Sequence, residues 1–292
     1  MSETPRFKHW EELDITDDFI FTRVMRNKRL CRTLLEMILK VKIGEIHFLT
    51  SHHAIQIDPN AKGIIMDVYL RDEDKVINVE MQTANHGDLA QRARYYQATA
   101  DIDTTPKGSE YSDLKQNYVI FICCFDPFNR GRPIYRFQNI CLDDEPIFLN
   151  DGTQKLFLNT TCKDTGSLDG ELRLSYDYVR ERTARTAFTK ELDNSISKLK
   201  QNQEERRMSL LYASRMMESR QDGYEEGLHT GLATGREEGT YQTKLETARA
   251  FLSYGDAPEK VARCTDLPLE TVLELIQKRE SVLPNQPLVW SA

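Results

Sequence analysis

One uninterrupted apolar run limits what this chain can fold into more than any other feature. Residues 118–125 read Tyr-Val-Ile-Phe-Ile-Cys-Cys-Phe, and Pro127 closes the run. The pattern predicts a β-strand that is buried on both faces. Because such a strand needs cover on both sides, the chain is expected to form an α/β domain around a central sheet.

Two segments that precede this strand have a helical period. Residues 17–41 carry apolar side chains at mostly helical spacing, with Thr16 and Asp17 available as N-caps, which predicts one or two amphipathic helices. Residues 88–100 form a second helical segment. Its apolar stripe comprises Leu89, Ala93, Tyr96 and Ala100.

Two β-hairpins are also predicted. Residues 64–70 and 76–82 are short β-rich runs that a charged turn separates. A second hairpin is expected from residues 147–149 and 156–158, which flank Asn-Asp-Gly-Thr at 150–153. Helix, hairpin, helix and buried strand together indicate a mixed sheet.

Composition restricts the location of the protein and its ligands. The chain of 292 residues is long enough for one substantial domain and a smaller appendage. No apolar run approaches the roughly eighteen residues of a membrane span, and no signal-peptide core is found, so we expect a cytoplasmic protein without a membrane partner. Six cysteines lack any C-x-x-C pair, which indicates buried free thiols rather than disulfides or zinc ligands.

The charge distribution leaves nucleic-acid binding open. The net charge of −7 argues against indiscriminate binding, but basic residues outnumber acidic ones between Arg173 and Arg220. A solvated helix face is slightly favoured over a DNA-contacting surface for that stretch. Four histidines fit no zinc spacing and are interpreted as loop residues: His47, His52, His53 and His86.

The first hairpin gathers three polar residues on one face. Side chains alternate along a strand, so Asp67 on one arm and Glu80 and Gln82 on the other can converge. A register that pairs Leu70 with Ile77 places Asp67 opposite Glu80, with about 5 Å between their Cβ atoms. Burial favours this register because it collects the apolar residues on the other face: Met66, Val68, Leu70, Ile77, Val79 and Met81.

Two carboxylates at this separation repel each other, which raises a pKa or requires a cation. Magnesium takes oxygen ligands from one or two carboxylates and keeps waters, one of which can become a nucleophile. The spacing by itself is a weak signal, since a polar sheet face can carry two acids by chance.

The sequence resembles a known family. Asp67, thirteen residues before Glu80-Met81-Gln82, resembles the D, then E-x-K/Q pattern of the PD-(D/E)XK nuclease superfamily. Over residues 17–160 the chain resembles, more closely, the recombination-promoting nuclease family, whose members are also named transposases. The segments that carry this resemblance are Asp-Asp-Phe-Ile-Phe at 17–21, Ile-Met-Asp-Val at 65–68, Asn-Val-Glu-Met-Gln at 78–82, Arg-Ala-Arg-Tyr-Tyr at 92–96 and Gly-Ser-Glu-Tyr at 108–111.

The resemblance implies a restriction-endonuclease-like mixed sheet flanked by helices, with a helical C-terminal extension, and magnesium-dependent cleavage of DNA phosphodiesters. Asp67 and Glu80 would hold Mg²⁺, or alternatively Mn²⁺ or Ca²⁺, with the backbone carbonyl of Met81 as a further ligand. Gln82 stands where the superfamily more often has lysine. A neutral amide can orient water but supplies no positive charge for the transition state.

Accessory residues are less specific. Asp18 (or Asp17) and Glu36 could add a carboxylate, and Arg94 with Tyr95 could contact phosphate. The alternative for these residues is ordinary capping, solvation or packing. The chain shows no separate D-D-E integrase pattern, so the name transposase finds no support in the sequence.

A glycine repeat marks the C-terminal part. If the segment is helical, each glycine costs about 1 kcal/mol relative to alanine, which close backbone packing would have to offset. The period of four exceeds 3.6 and favours right-handed winding around a partner. Self-association is one interpretation, and a flexible, partly helical linker is the other. The repeat comprises Gly223, Gly227, Gly231, Gly235 and Gly239.

These observations predict four regions. A nuclease-like domain at 1–175 precedes a charged helical connector at 176–242, a small helical module at 243–280 and a tail at 281–292. The module is similar to a helix-turn-helix but offers few base-reading side chains, so packing or dimerisation is favoured.

The predicted function is a magnesium-dependent DNA endonuclease, linked through the resemblance to recombination or to mobile-element or phage biology. The expected partners are DNA and further copies of the chain. One alternative is a catalytically inactive DNA-binding or assembly protein that retains the fold, and another is an RNA-directed nuclease.

Overall fold

The computed structural model describes residues 8–49, 63–143 and 147–282. The chain divides after Tyr212 into two compact units. No helix among the described residues is long and apolar enough to cross a membrane. The predicted tail lies outside the described residues from position 283 onward.

The first unit is built on a mixed sheet. Its strands, among the described residues, are β1 (His47–Phe48), β2 (Val68–Arg71), β3 (Lys75–Gln82), β4 (Gln116–Cys123), β5 (Ile134–Phe137) and β6 (Thr153–Asn159). The strand order is β1-β2-β3-β4-β6-β5. The three central strands β3, β4 and β6 are parallel, and the outer pairs are antiparallel. The predicted fold class is confirmed.

Helices cover both faces of the sheet. They are α1 (Asp18–Met25), α2 (Lys28–Leu39), α3 (Leu89–Thr104), α4 (Gly170–Glu181) and α5 (Ala187–Gln201), and single 3-10 turns lie at Trp10–Glu12 and Tyr111–Asp113. Residues of α1, α2, α4 and α5 pack into one apolar core, and residues of α3 pack into the other. Strand β4 sends alternate side chains into both cores, as its apolar sequence predicted.

The prediction of a second hairpin is wrong. Strand β6 pairs in parallel with β4 and antiparallel with β5, whereas residues 147–149 contribute only an isolated bridge between Ile140 and Phe148. The reason is burial: Leu156, Phe157 and Leu158 are almost fully buried, a position that only the interior of the sheet supplies. The residues at 147–149 are exposed and offer β6 no such cover.

Two smaller predictions also need correction. Met66 was expected on the same face as Val68 and Leu70, but it packs in the core beneath α3, because β2 begins only at Val68 and strand alternation does not reach Met66. All six cysteines are free, as predicted. Cys141 and Cys264, however, are exposed rather than buried.

The glycine repeat lies within one long helix, α6 (Gln203–Ser253). A Cβ built on any of the five glycines meets no atom within 4 Å, so no packing inside the described chain offsets their cost. Two helices follow, α7 (Pro258–Thr265) and α8 (Leu269–Val282), and the second unit has a small core of Ala248, Val261, Leu267 and Val272.

A pair of phenylalanine substitutions tests the placement of β6. Phe157→Ala should destabilise the protein by about 3–5 kcal/mol, because it removes a buried ring that stacks on Phe121 at 5.4 Å. The matched control Phe148→Ala, at a residue that is 51% exposed, should cost less than about 0.5 kcal/mol. Urea unfolding measures both, and equal losses would contradict this strand order.

Candidate functional site

The predicted register brings two carboxylates together at the end of the β2–β3 ladder. Leu70 pairs with Ile77, and the last ladder pair is Val68 with Val79. Asp67 follows this pair and lies beside Glu80. The backbone N–H of Asp67 donates to Glu80 Oε1 at 3.1 Å, and the N–H of Met81 donates to Asp67 Oδ2 at 2.9 Å. Each arm of the hairpin therefore holds the carboxylate of the other arm.

Burial makes these carboxylates difficult to ionise. Glu80 is only 4% exposed, and burial raises its pKa to about 7, although the N–H of Asp67, the amide of Asn78 and the charge of Arg92 oppose this rise. Burial, and next the charge of Glu80, raise the pKa of Asp67 well above its ordinary value. The two acids thus favour either a shared proton or a cation.

The donor set fits a hard divalent cation. It offers carboxylate oxygens, the ligands that Mg²⁺ prefers, from two residues in contact. Among the described residues, no group of three or more His, Cys, Asp or Glu side chains is arranged to hold a metal ion. Of the histidines considered from the sequence, His47 lies in β1 and His86 in an exposed loop, while His52 and His53 lie outside the described residues.

The further acids differ in where they point. Asp18 begins α1, and its charge raises the pKa of both Asp67 and Glu80. Asp17 instead accepts from the N–H of Asp14 at 2.7 Å and from Lys8 Nζ at 2.9 Å. Glu36 accepts from the backbone N–H of Ile43 at 3.1 Å and so holds the turn after α2. Of these acids, Asp18 is the one whose charge reaches the pair.

Gln82 is bound at both ends of its amide. Its Oε1 accepts from Arg92 Nη1 at 2.7 Å, and its Nε2 donates to the carbonyl of Ala84 at 3.2 Å. The side chain is therefore part of a polar chain that runs from the sheet to α3.

Arg92 is the residue of α3 that contacts this site, and sequence reasoning missed it. Its Nη2 lies 3.8 Å from Glu80 Oε2, whereas Arg94 and Tyr95, the residues proposed from the sequence, are exposed. Helix phase explains the difference, because α3 buries Ala93 and Tyr96 against the sheet and turns Arg94 outward. The position of Arg92 one turn before Tyr96 was the available signal.

A tyrosine far along the chain also lies near the acids. Tyr212 is in the first turns of α6, and its pKa is raised by burial and then by the charges of Asp18, Asp67 and Glu80. Its ring packs 5.9 Å from Phe19. Arg23 and Glu205 tie the same part of α6 to α1 with two hydrogen bonds of 2.6 and 2.7 Å. No local pattern connects residues so distant in sequence.

Several basic residues between Arg173 and Arg220 are engaged in contacts within the protein. Arg182 pairs with Asp14 at 2.8 Å, and Arg185 pairs with Glu181 at 2.6 Å. Arg180 donates to the carbonyls of Thr160 and Cys162 at 3.0 Å each. The charges of these three arginines are therefore used inside the domain.

Comparison with known proteins connects this geometry to a family. A family model described as "PD-(D/E)XK nuclease family transposase" matches residues 16–161, which is half of the chain and includes Asp67, Glu80, Gln82 and Arg92. No curated protein matches the chain, and no solved structure does.

The buried acids predict a distinctive pH dependence of stability. In chelator, the free energy of unfolding should fall as the pH rises from about 5 to about 8. A carboxyl whose pKa is raised to about 7 stabilises the folded state below the ordinary value of 4.5, and this stabilisation is lost as the pH rises through the folded pKa. For Glu80 the contribution is on the order of 3 kcal/mol. Urea unfolding at each pH measures it.

Two variants isolate the cause. Glu80→Gln should make the free energy of unfolding depend less on pH, because the amide keeps the size of the side chain but does not ionise. Glu73→Gln, in the exposed turn, should leave the pH dependence unchanged. Adding Mg²⁺ should stabilise the wild-type protein more at pH 8 than at pH 5, since the cation competes with the proton. A level wild-type curve in chelator would count against the buried acid pair.

Proposed function

We propose, from the premise that this chain belongs to the PD-(D/E)XK nuclease family, that it hydrolyses DNA phosphodiester bonds with the help of a divalent cation. The observation that carries the proposal is the contact between Asp67 and Glu80, with each carboxylate accepting a backbone N–H from the opposite arm. Two acids held in this way have no evident structural purpose, because burying them without a cation costs stability.

Asp67 and Glu80 are the proposed ligands, with the carbonyl of Met81 as a third, and Mg²⁺ is the proposed ion, with Mn²⁺ or Ca²⁺ as alternatives. When bound, such an ion supplies Lewis acidity and lowers the pKa of water for attack on phosphorus. The carboxylates lose their proton to make room for the ion. Asp18 adds a third negative charge at the start of α1 and strengthens the attraction for a cation.

Burial of the site increases the effect of every charge in it. Glu80 is shielded from water, so interactions with its charge are stronger than they would be at the surface. The contacts with the backbone keep both carboxylates in place before a substrate arrives, which reduces the reorganisation that the reaction requires. The proposed reaction is in-line attack of water on a phosphodiester: a P–O bond to the water forms as the P–O bond to the leaving oxygen breaks. The attacking water releases a proton to solvent, and the leaving oxygen takes one from solvent.

One observation favours a second candidate, a DNA-binding or assembly protein that retains the fold without cleavage. Gln82 replaces the lysine of the superfamily, and both ends of its amide are already bound. The link to recombination and to mobile elements or phage rests on the family resemblance alone, and so does the choice of DNA over RNA.

Self-association through α6 completes the proposal. Tyr224, Leu228 and Leu232 each follow a glycine of the repeat, and all three are at least half exposed. A second copy packed along this stripe would bury these side chains and bring the glycine backbones into close contact, which offsets the cost of glycine in a helix.

The nuclease proposal is tested with plasmid DNA and Mg²⁺. Asp67→Asn and Glu80→Gln should each lower the cleavage rate by at least about 100-fold, equivalent to about 2.7 kcal/mol, because each removes a cation ligand. Glu73→Gln, on the same hairpin but exposed, should cut like the wild type. Assaying an RNA of equal length in parallel separates the two polymers. Cleavage that neither acid variant weakens would refute the site.

The self-association proposal predicts the behaviour of a double variant. Gly227→Ala with Gly231→Ala should dissociate the oligomer, although each alanine favours the helix itself by about 1 kcal/mol. His229→Ala is the control, because His229 lies two residues before Gly231 and therefore roughly opposite it on the helix. Light scattering coupled to size exclusion gives the mass of each. A monomeric wild type, or an oligomer that the alanines leave intact, would rule out this stripe.

A further inference from the structure

We propose that Arg92 supplies the positive charge that lysine supplies at position 82 elsewhere in the superfamily, and that Gln82 serves to aim it. This inference rests on the proposed nuclease function. Under this proposal, Arg92 interacts with the phosphate of the substrate, and Gln82 holds Arg92 in place instead of orienting water.

The contacts of Arg92 distinguish a charge held for a substrate from an ordinary ion pair. The guanidinium donates its hydrogen bonds to two neutral groups, Gln82 Oε1 at 2.7 Å and Tyr96 Oη at 3.1 Å. Its Nη2 lies 3.8 Å from Glu80 Oε2, which is too long for a hydrogen bond. An arginine that only neutralised Glu80 would bind both of its oxygens directly.

Packing fixes the guanidinium at this position. Its central carbon lies 5.4 Å from the centroid of the Phe121 ring and 5.5 Å from that of Tyr96, and the side chain is 27% exposed. Both distances are within cation–π range. The remaining exposure leaves a path for an anion. A partly desolvated cation that cannot swing away is suited to charge that develops during a reaction.

The charge balance of the site gives Arg92 a purpose. Asp67 and Glu80 carry two negative charges when ionised, and the charge of Asp18 acts on both of them. These acids repel an approaching phosphodiester, and Arg92 opposes that repulsion because its guanidinium lies 3.8 Å from Glu80 Oε2.

The same geometry accounts for glutamine at position 82. A lysine there would place a second cation beside Nη1 of Arg92, where Gln82 Oε1 now accepts at 2.7 Å. The two cations would repel each other, so lysine at 82 and arginine at 92 are alternative ways to place one charge. Gln82 is therefore a positioning residue, and its amide holds the guanidinium toward Glu80.

A charge-relocation experiment tests this assignment. Full-length wild type, Arg92→Met, Gln82→Lys and the double variant Gln82→Lys with Arg92→Met are assayed on plasmid with Mg²⁺. Arg92→Met should lower the cleavage rate by about 100-fold, and the double variant should recover at least about tenfold of that loss. Arg26→Met, at an exposed arginine on the C-cap of α1, is the control and should match the wild type.

Metal binding provides a readout independent of activity. Titration calorimetry with Mn²⁺ should show tighter binding to Arg92→Met by several-fold, because the variant lacks a cation next to a ligand of the ion. If Arg92 merely held the fold, its removal would weaken metal binding and would not be rescued by a lysine at position 82 on strand β3.

The outcomes separate the two proposals. A wild type that cuts neither DNA nor RNA overturns the nuclease function, and the assignment of Arg92 falls with it. An active wild type whose Arg92→Met variant cuts equally well overturns the assignment alone. The assignment is also overturned if Arg92→Met loses activity and binds Mn²⁺ more weakly, and lysine at position 82 does not restore cleavage. Loss, rescue and tighter Mn²⁺ binding together support it.

Discussion

The site depends on one reciprocal interaction, in which Asp67 and Glu80 each accept a backbone N–H from the opposite arm of the β2–β3 hairpin. The strand ladder ends at Val68 and Val79, so these N–H groups would otherwise lose their partners where the arms separate. The carboxylates satisfy them. In return, the backbone holds the two carboxylates so close that the charge of Glu80 raises the pKa of Asp67, and this repulsion favours a cation.

The rest of the domain supports this arrangement from both sides of the sheet. The apolar core formed with α1, α2, α4 and α5 buries Val79 and Met81, and this burial determines that Glu80 points to the other face. On that face α3 packs through Ala93 and Tyr96 and delivers Arg92 to the acids. The sheet therefore sets the positions of the negative charges, and α3 sets the position of the positive charge.

This division between sheet and helix explains why Gln82 can depart from the superfamily pattern. A glutamine carries no positive charge, but it can hold an arginine that does, and an arginine on a helix has a rigid helix–sheet interface behind it. The N-terminal turns of α6 contribute to the same environment, since Tyr212 lies within electrostatic range of all three acids. Four separate segments of the first unit thus influence one pair of carboxylates.

Local sequence was sufficient wherever a short period decided the structure. The apolar run of β4 determined burial on both faces, and the alternation around Leu70 and Ile77 determined the register that sets Asp67 beside Glu80, because a slip by one residue would turn every side chain of the strand to the opposite face. The ordered motifs of residues 17–111 determined the family.

Contacts between distant segments were decided only by the tertiary structure. Strand β6 pairs with β4 and β5 rather than with residues 147–149, because only the sheet interior buries Phe157. Arg92 rather than Arg94 reaches the acids because the rotation of α3 is set by its packing on Phe121 and its neighbours. Tyr212 joins the acids although it lies 145 positions after Asp67 in the chain. Periodicity specifies which face of an element is apolar, but the side chains that meet across two elements depend on how those faces pack.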